Sequence, residues 1–172
     1  MIWVGLILAM IVAIPLIREL LRKPMNATGR RDAPGAFATL SQGVTHYQWI
    51  GPESGRVVVC VHGLTTPSFV WHGLARGLGG MGYYVLIYDL YGRGFSDRVT
   101  GMQTRDFFLR QLNDLLIQQK VTSGFTLIGY SMGGAIATAF AASQPGRVRH
   151  LLLLAPAGMG KVGTGLLEFA VR

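Results

Sequence analysis

The hydrophobic and polar positions after residue 36 alternate between the patterns of buried strands and of amphipathic helices. Two continuous apolar runs, Arg56–Val61 and Tyr83–Tyr88, are typical of strands buried on both faces of a sheet. Residues 104–120 carry large apolar side chains at helical spacing, and Thr104 can cap that helix. The same reasoning predicts further elements: strands over 37–41, Val44–Ile50, 125–128 and 150–154, and helices over 68–78, with Ser68 as its N-cap, and Met132–Ser143.

Strands that alternate with helices predict an α/β fold with a mostly parallel, doubly wound sheet. The predicted domain covers residues 37–172. In such sheets, ligands bind beyond the carboxyl ends of the strands. Functional residues are therefore expected directly after the predicted strands.

The first 17 residues carry no charged side chain, and their apolar residues point to all sides of a helix. This pattern predicts a transmembrane anchor over residues 1–17. Residues 18–36 form a predicted basic linker, and residues 1–31 hold five positive charges and one negative charge. Because positive residues tend to stay on the cytoplasmic side, a single-pass anchor with a cytoplasmic domain is expected. A cleaved signal peptide and an interfacial hairpin are the alternatives.

The composition of the 172 residues limits the other classes of protein. Half of the residues are hydrophobic, which excludes a disordered chain, and the single Cys excludes an internal disulfide. Residues 1–31 supply +4 of the formal net charge of +8, and basic residues are not interleaved with aromatic ones. A nucleic-acid partner is therefore not expected. The sequence shows no metal-ligand spacing and implies no cofactor.

The strongest chemical motif follows the strand predicted over 125–128. Gly129-Tyr130-Ser131-Met132-Gly133 fits the pattern G-x-S-x-G between a strand and a helix of small residues. A sharp turn at this point exposes the Ser131 hydroxyl and aims the Met132 N–H at the oxygen of an attacked carbonyl. Gly129 and Gly133 are expected because a Cβ would collide with the neighbouring strand and helix.

A second motif, His62-Gly63-Leu64-Thr65-Thr66, follows the strand Arg56–Val61. Gly63 allows the chain to leave the sheet sharply, and the Leu64 N–H is then available as a second oxyanion donor. His62 lies at the correct end of the sheet for a general base, but we interpret it as support for the loop.

A third motif, Asp89-Leu90-Tyr91-Gly92-Arg93-Gly94-Phe95-Ser96, follows the strand Tyr83–Tyr88. We interpret Asp89 and Arg93 as residues that hold this loop through bonds from side chain to backbone. Gly92-x-Gly94 is not a dinucleotide-binding fingerprint, because no third Gly opens a helix three residues later.

Together these motifs resemble the α/β-hydrolase family. VCVHGLTTPSFVW is similar to the family's strand and oxyanion loop, DLYGRGFSD to its D-x-x-G-x-G-x-S loop, and LIGYSMGGAIA to its nucleophile elbow. The resemblance covers about residues 37–160 and implies Ser131 as the nucleophile, with the N–H groups of Leu64 and Met132 as oxyanion donors. The N-terminal segment is similar to the anchor of membrane-bound monoacylglycerol-lipase-like members. A Ser at this position argues against dehalogenases and epoxide hydrolases, which use Asp.

The chain departs from the family pattern after the sixth predicted strand. Family members place the acid after a later strand and the histidine after the last one, whereas residues 155–172 contain no His or Asp and one Glu, Glu168. His46, His72 and His150 lie in an early strand, on a helix and at the start of a strand, and none is expected to be the base. We therefore expect a partial hydrolase domain, truncated after the sixth strand, without its catalytic acid and base.

The sequence thus predicts a membrane-anchored serine hydrolase that cleaves a small lipophilic carboxylic ester through an acyl-enzyme on Ser131. Because a fold does not fix a reaction, C–C bond hydrolysis and cofactor-free oxygenation on the same scaffold are alternatives. A third alternative, from another class, is a non-catalytic fragment or binding module. The sequence makes no prediction of the oligomeric state.

Overall fold

A computed structural model describes residues 25–158 and, closer to the N-terminus, residues 3, 10, 11, 13–15, 17 and 18. The chain divides into two compact units, Met1–Arg31 and Asp32–Arg172. Most of the predicted anchor and the residue Glu168 lie outside the described residues.

In the N-terminal unit, the described residues 26–31 form a turn, in which the Gly29 and Arg30 N–H groups donate to the side chain and the carbonyl of Asn26 at 3.1 Å. None of the helices found among the described residues has the length and apolarity needed to cross a membrane. The transmembrane anchor therefore stays a prediction.

The second unit contains a six-stranded, mostly parallel sheet, as the sequence predicts. Its strands occur in the spatial order β1-β2-β4-β3-β5-β6. The first two pairings, β1 with β2 and β2 with β4, are antiparallel, and the pairings of β4 with β3, β3 with β5 and β5 with β6 are parallel. The strands are β1 (Ala36–Thr39), β2 (Val44–Ile50), β3 (Arg56–Val61), β4 (Tyr83–Tyr88), β5 (Phe125–Tyr130) and β6 (Val148–Leu154).

Helices cover both faces of the sheet, because the apolar strands present side chains alternately to each face. Between residues 32 and 158, the described helices are α1 (His72–Gly80), α2 (Arg105–Gln118) and α3 (Met132–Ser143). Val59 and Val61 of β3 lie in a core that also holds residues of α2 and α3. Val58 and Cys60 of the same strand lie in a second core with Ala75 of α1. The prediction of a doubly wound α/β sheet is therefore confirmed.

Several boundaries differ from the prediction, and the largest difference lies before α1. A 3-10 turn over Ser68–Trp71 precedes α1, which begins at His72 rather than at Ser68. The prediction of Ser68 as an N-cap is wrong, because Ser68 lies inside the 3-10 turn and Trp71 precedes α1. The buried Ser68 donates its N–H to the Asp89 carboxylate at 2.7 Å. The Thr104 cap is confirmed, since its hydroxyl accepts a hydrogen bond from the Phe107 N–H at 3.3 Å.

Strand β6 is the last strand of the described sheet and pairs with β5 alone. It begins at Val148, two residues earlier than predicted. Leu151, Leu152 and Leu154 are exposed over 37%, 44% and 44% of their surfaces, although their apolar side chains are typical of a buried strand. The described sheet therefore ends in an apolar edge.

Candidate active site

Ser131 occupies a sharp turn between the end of β5 at Tyr130 and the start of α3 at Met132. Its backbone angles, φ 53° and ψ −120°, lie in a region that residues other than glycine rarely adopt. Such a conformation costs on the order of 1–3 kcal/mol and persists only where the surroundings impose it. The turn holds Ser131 half-buried at the carboxyl end of the parallel strands, where the motif predicts it.

Two glycines allow this turn to approach its neighbours closely. A Cβ at Gly129 would lie 2.5 Å from the Gly133 carbonyl oxygen and 2.6 Å from the Gly134 Cα. A Cβ at Gly133 would overlap the carbonyl oxygens of Val61 and His62. The collisions expected from the sequence are therefore present, and they involve backbone atoms that cannot rotate away.

The end of β6 fixes the backbone of Ser131 from the other side. The Ser131 N–H donates to the Leu154 carbonyl at 3.0 Å, and the Ser131 carbonyl accepts from the Ala157 N–H at 2.9 Å. A Cβ at Gly134 would lie 2.7 Å from the Cβ of Pro156, so the turn after β6 packs directly against the start of α3. These contacts help to impose the unusual backbone conformation of Ser131.

The loop after β3 lies against Ser131. A Cβ at Gly63 would be 3.2 Å from the Ser131 Cβ and 3.3 Å from the Tyr130 ring, so only glycine leaves this contact unstrained. The N–H groups of Leu64 and Met132 donate to no acceptor in the part of the chain that the structure describes. An N–H at the first turn of a helix lacks an intrahelical acceptor, and it favours a negative charge.

His62 is fully buried, and both of its ring nitrogens are occupied. Nδ1 lies 2.7 Å from the Gly63 carbonyl, and Nε2 accepts the Leu90 N–H at 2.9 Å, so the proton of the neutral ring is on Nδ1. Burial lowers the pKa of His62 to about 4, although the bond to the Gly63 carbonyl opposes this shift. The neutral ring fixes the Gly63–Leu64 peptide, whose other end is the Leu64 N–H.

Asp89 follows β4 and connects several loops through its buried carboxylate. Oδ1 accepts the Ser68 N–H at 2.7 Å, and Oδ2 accepts the Phe95 N–H at 2.9 Å. Oδ2 also lies 2.8 Å from Nδ1 of His46. Burial by itself raises the pKa of Asp89, but the hydrogen bonds from His46, Phe95 and Ser68 outweigh it and hold the pKa below its usual value.

The sequence motifs do not predict the pairing of His46 with Asp89. The two residues are 43 positions apart, on β2 and after β4, and both side chains are 1% exposed. The Nε2 of His46 bonds the carbonyl of Pro34, just before β1. No local pattern signals such a contact, since it depends on how β2 pairs with β4.

Arg93 connects the loop after β4 with the loop after β3. Its Nε donates to the Leu64 carbonyl at 3.1 Å, and its Nη1 donates to the Tyr91 carbonyl at 2.8 Å and to Oε1 of Gln103. Its guanidinium also lies 5.5 Å from the centre of the Phe108 ring. Burial lowers the pKa of Arg93, but a guanidinium keeps its charge at neutral pH.

No base contacts Ser131 within the described residues, where its hydroxyl has no hydrogen-bond partner. His46 and His62 bond to the groups described above. His72 faces the side chain of Gln48 at 3.3 Å, and His150 is exposed on β6. The described residues thus place the loop after β3 against Ser131, and they add no general base.

The described residues contain no group of three His, Cys, Asp or Glu side chains that could hold a metal ion. Cys60 is buried in the core beneath α1. Burial raises the pKa of its thiol to about 12, so Cys60 is not a nucleophile at neutral pH.

Comparison with known proteins identifies the wider family. Residues 56–168 match the family described as alpha/beta hydrolase fold. The chain is 33% identical over 114 residues to Lipase 1 of Psychrobacter immobilis, covering 66% of this chain and 35% of the lipase. It is 31% identical over 124 residues to 2-hydroxy-6-oxo-6-phenylhexa-2,4-dienoate hydrolase of Comamonas testosteroni, covering 70% of this chain and 43% of that hydrolase.

Solved structures give the same result. An esterase from Exiguobacterium antarcticum superposes with a TM-score of 0.67 at 28% identity, over 72% of this chain and 46% of the esterase. The chain therefore spans less than half the length of each of these relatives. The strand order, the turn at Ser131 and these matches together lead to one conclusion: the chain belongs to the alpha/beta hydrolase family.

Proposed function

We propose that this protein contributes the nucleophile and the oxyanion donors of a serine hydrolase that cleaves carboxylic esters. The observation that carries the proposal is the strained turn at Ser131, which lies against a loop with a free N–H group. Backbone strain of this kind is concentrated at functional sites, because a turn that only connects two elements can relax. Lipase and esterase relatives support the choice of reaction.

In the proposed reaction, Ser131 Oγ attacks the carbonyl carbon of the ester and loses its proton to a base. The carbonyl oxygen becomes an oxyanion, which accepts hydrogen bonds from the Leu64 and Met132 N–H groups. The C–O bond to the alcohol then breaks, the alcohol leaves with a proton, and an acyl-enzyme remains on Ser131. Water hydrolyses the acyl-enzyme by the same steps. The base lies outside the described residues.

A lipophilic ester is the proposed substrate class. The loop next to Ser131 and the 3-10 turn after it present Leu64, Phe69 and Val70 to solvent over 44%, 60% and 41% of their surfaces. Exposed apolar side chains grouped around a site favour an apolar ligand. The apolar segment 1–17 supports a proposal of membrane attachment, with a single-pass anchor and a cytoplasmic domain.

Hydrolysis of a C–C bond is the second candidate reaction. One relative is a hydrolase of 2-hydroxy-6-oxo-6-phenylhexa-2,4-dienoate, and C–C hydrolases are among the homologues. The same nucleophile and oxyanion donors suit both reactions, since each passes through an oxyanion at an attacked carbonyl. A panel of p-nitrophenyl esters and vinylogous diketone acids separates them by the substrate that is consumed.

The proposal is tested with the detergent-solubilised chain and its Ser131→Ala variant. Because the described residues hold no base for Ser131, we expect a slow reaction: a fluorophosphonate should label the wild-type chain over hours at pH 9 and should not label the variant. Any p-nitrophenyl butyrate turnover should be about a thousandfold or more below that of a complete hydrolase and should fall to background in the variant. Ser143→Ala is the matched control, because this Ser ends α3 and should leave labelling unchanged. Equal labelling of wild type and Ser131→Ala, with both chains folded by circular dichroism, contradicts the proposal and favours a binding module.

A further inference from the structure

We propose that Arg93 is a positioning residue that holds the Leu64 peptide in place as an oxyanion donor. This inference rests on the proposed hydrolase function. It extends the role of Arg93 from its own loop after β4 to the loop beside Ser131.

The contacts of Arg93 join three separate segments. Nε bonds the Leu64 carbonyl beside Ser131, and Nη1 bonds the Tyr91 carbonyl within its own loop and the Gln103 side chain before α2. The guanidinium also lies over the Phe108 ring of α2, which adds a cation–π contact. Groups that are distant from Leu64 in sequence therefore fix the guanidinium. Its hydrogen bond to the Leu64 carbonyl then restricts the motion of the loop after β3.

Leu64 needs such an anchor because its own side chain provides little packing. The side chain is 44% exposed, so packing restricts it less than it restricts a buried side chain. His62 fixes the carbonyl of Gly63, the residue before Leu64, and Arg93 fixes the carbonyl of Leu64 itself. The Leu64 N–H lies between these two anchored carbonyls. Losing either bond would let the N–H rotate away from the oxygen of the substrate.

The charge of Arg93 also argues for a role in the site. Within the described residues, no carboxylate forms an ion pair with this half-buried guanidinium. Burying a cation without a counter-ion costs free energy, and neutral carbonyls offset only part of that cost. An oxyanion held by the Leu64 N–H would carry its negative charge on the residue whose carbonyl the guanidinium bonds at 3.1 Å, and this charge is present only during the reaction.

The test compares Arg93→Met and Arg93→Lys with the control Arg105→Met, which removes an exposed cation at the start of α2. The readouts are the rate of Ser131 labelling by a fluorophosphonate at pH 9, the residual kcat and KM for p-nitrophenyl butyrate, the binding of phenylboronic acid, and amide hydrogen exchange in residues 63–66. Phenylboronic acid forms a tetrahedral adduct on a serine and so reports the oxyanion donors. Circular dichroism and the Tm check that each variant is folded.

We expect Arg93→Met to lower the residual kcat by about 10- to 100-fold and to weaken the binding of phenylboronic acid by a similar factor. The reason is that an imperfectly placed donor loses most of its effect. KM should change less than about twofold, since the donors act on the transition state. Exchange in residues 63–66 should accelerate, while that of β3 should not. Arg93→Lys should lie between Arg93→Met and wild type, because an ammonium lacks the planar fork.

The possible outcomes separate the two proposals. A wild-type chain that reacts, with Arg93→Met equal to it in kcat or in exchange of residues 63–66, overturns the role of Arg93 and leaves the hydrolase proposal intact. A loss in Tm with unchanged kcat also overturns it, because Arg93 would then be structural only. A wild-type chain without any reaction at Ser131 overturns the proposed function and the role of Arg93 with it.

Discussion

The polar residues around Ser131 are held by buried hydrogen bonds rather than by contact with solvent. His62 uses both ring nitrogens within two loops, and Asp89 accepts hydrogen bonds from the Ser68 and Phe95 N–H groups and pairs with His46. In a low dielectric, such groups are costly to leave unpaired, so each one fixes the loop to which it bonds. Single substitutions at these residues should therefore have large and specific effects.

The buried His62 predicts a pH dependence of stability. Its pKa is about 4 in the folded chain, below the ordinary 6.5, so the unfolded chain binds this proton first as the pH falls. Stability from His62 is therefore present above pH 6.5 and is lost as the pH falls toward 4. Between pH 7.5 and 5 we expect the free energy of unfolding to fall by about 2 kcal/mol more in wild type than in His62→Asn.

Urea denaturation followed by tryptophan fluorescence measures this difference. Asn at position 62 can keep a donor and an acceptor without titrating, and the exposed His150→Asn serves as the control that should retain the wild-type slope. Equal pH slopes for wild type and His62→Asn would contradict the assignment of a neutral, buried His62.

A second prediction for a single residue concerns the contribution of Asp89 to the stability of the folded chain. Asp89→Asn replaces an acceptor-only carboxylate with an amide whose NH2 group would face N–H donors, and it breaks the buried pair with His46. We therefore expect a loss of about 3 kcal/mol in the free energy of unfolding. Asp106→Asn is the control, because its carboxylate is 72% exposed beside Arg105 and should change stability by less than about 0.5 kcal/mol. Similar urea midpoints for the two variants would contradict the importance of Asp89.

At the scale of helices and strands, the sequence predicts the bounds of the buried strands better than the start of α1. The strands Arg56–Val61 and Tyr83–Tyr88 have the predicted bounds, because continuous apolar runs between turn residues leave little ambiguity. The start of α1 is mispredicted because Ser68 bonds Asp89, 21 positions away, instead of capping the helix. The turn at Ser131 was predictable from its motif, whereas the His46–Asp89 pair and the contact of Arg93 with Leu64 depend on tertiary structure.

Glycine substitutions test the packing of α3 against β3. Gly133→Ala should destabilise the chain by about 3 kcal/mol or more, because its Cβ would overlap two backbone carbonyls of residues 61 and 62. Gly77→Ala is the matched control in α1, where a Cβ meets no atom within 4 Å. It should stabilise the chain by about 0.5–1 kcal/mol. Thermal unfolding by circular dichroism distinguishes these opposite signs, and equal Tm values would contradict the described packing.

At the scale of the whole molecule, the sheet is covered by helices on both faces, and its β6 edge is apolar. Buried strands β3, β5 and β4 stabilise the centre of the sheet, while Leu151, Leu152 and Leu154 of β6 remain exposed. An exposed strand edge with apolar side chains is a template for pairing with another chain. The described domain therefore has a well-packed centre and an exposed apolar edge at β6.

The exposed apolar edge at β6 predicts self-association of the 172-residue chain. We expect sedimentation velocity in detergent to show association that increases with concentration, and Leu152→Lys to weaken it by about tenfold, because a charge on an edge strand opposes pairing. Ile117→Lys is the control, since this residue is 62% exposed on α2, away from any strand edge. The prediction is contradicted if both variants associate as wild type does.

Two hydrogen bonds join the backbone of Ser131 to the segment that ends β6. The reactivity of this serine should therefore depend on whether β6 has already docked during folding. The parallel pairing of β5 with β6 needs a helical crossover, so the segment that ends β6 must dock before it can bond the backbone of Ser131. After dilution from urea, capture of Ser131 by a fluorophosphonate would therefore follow the docking of β6 and not the earlier collapse of the core. During synthesis, the chain would likewise acquire an aligned nucleophile only after Ala157 has left the ribosome.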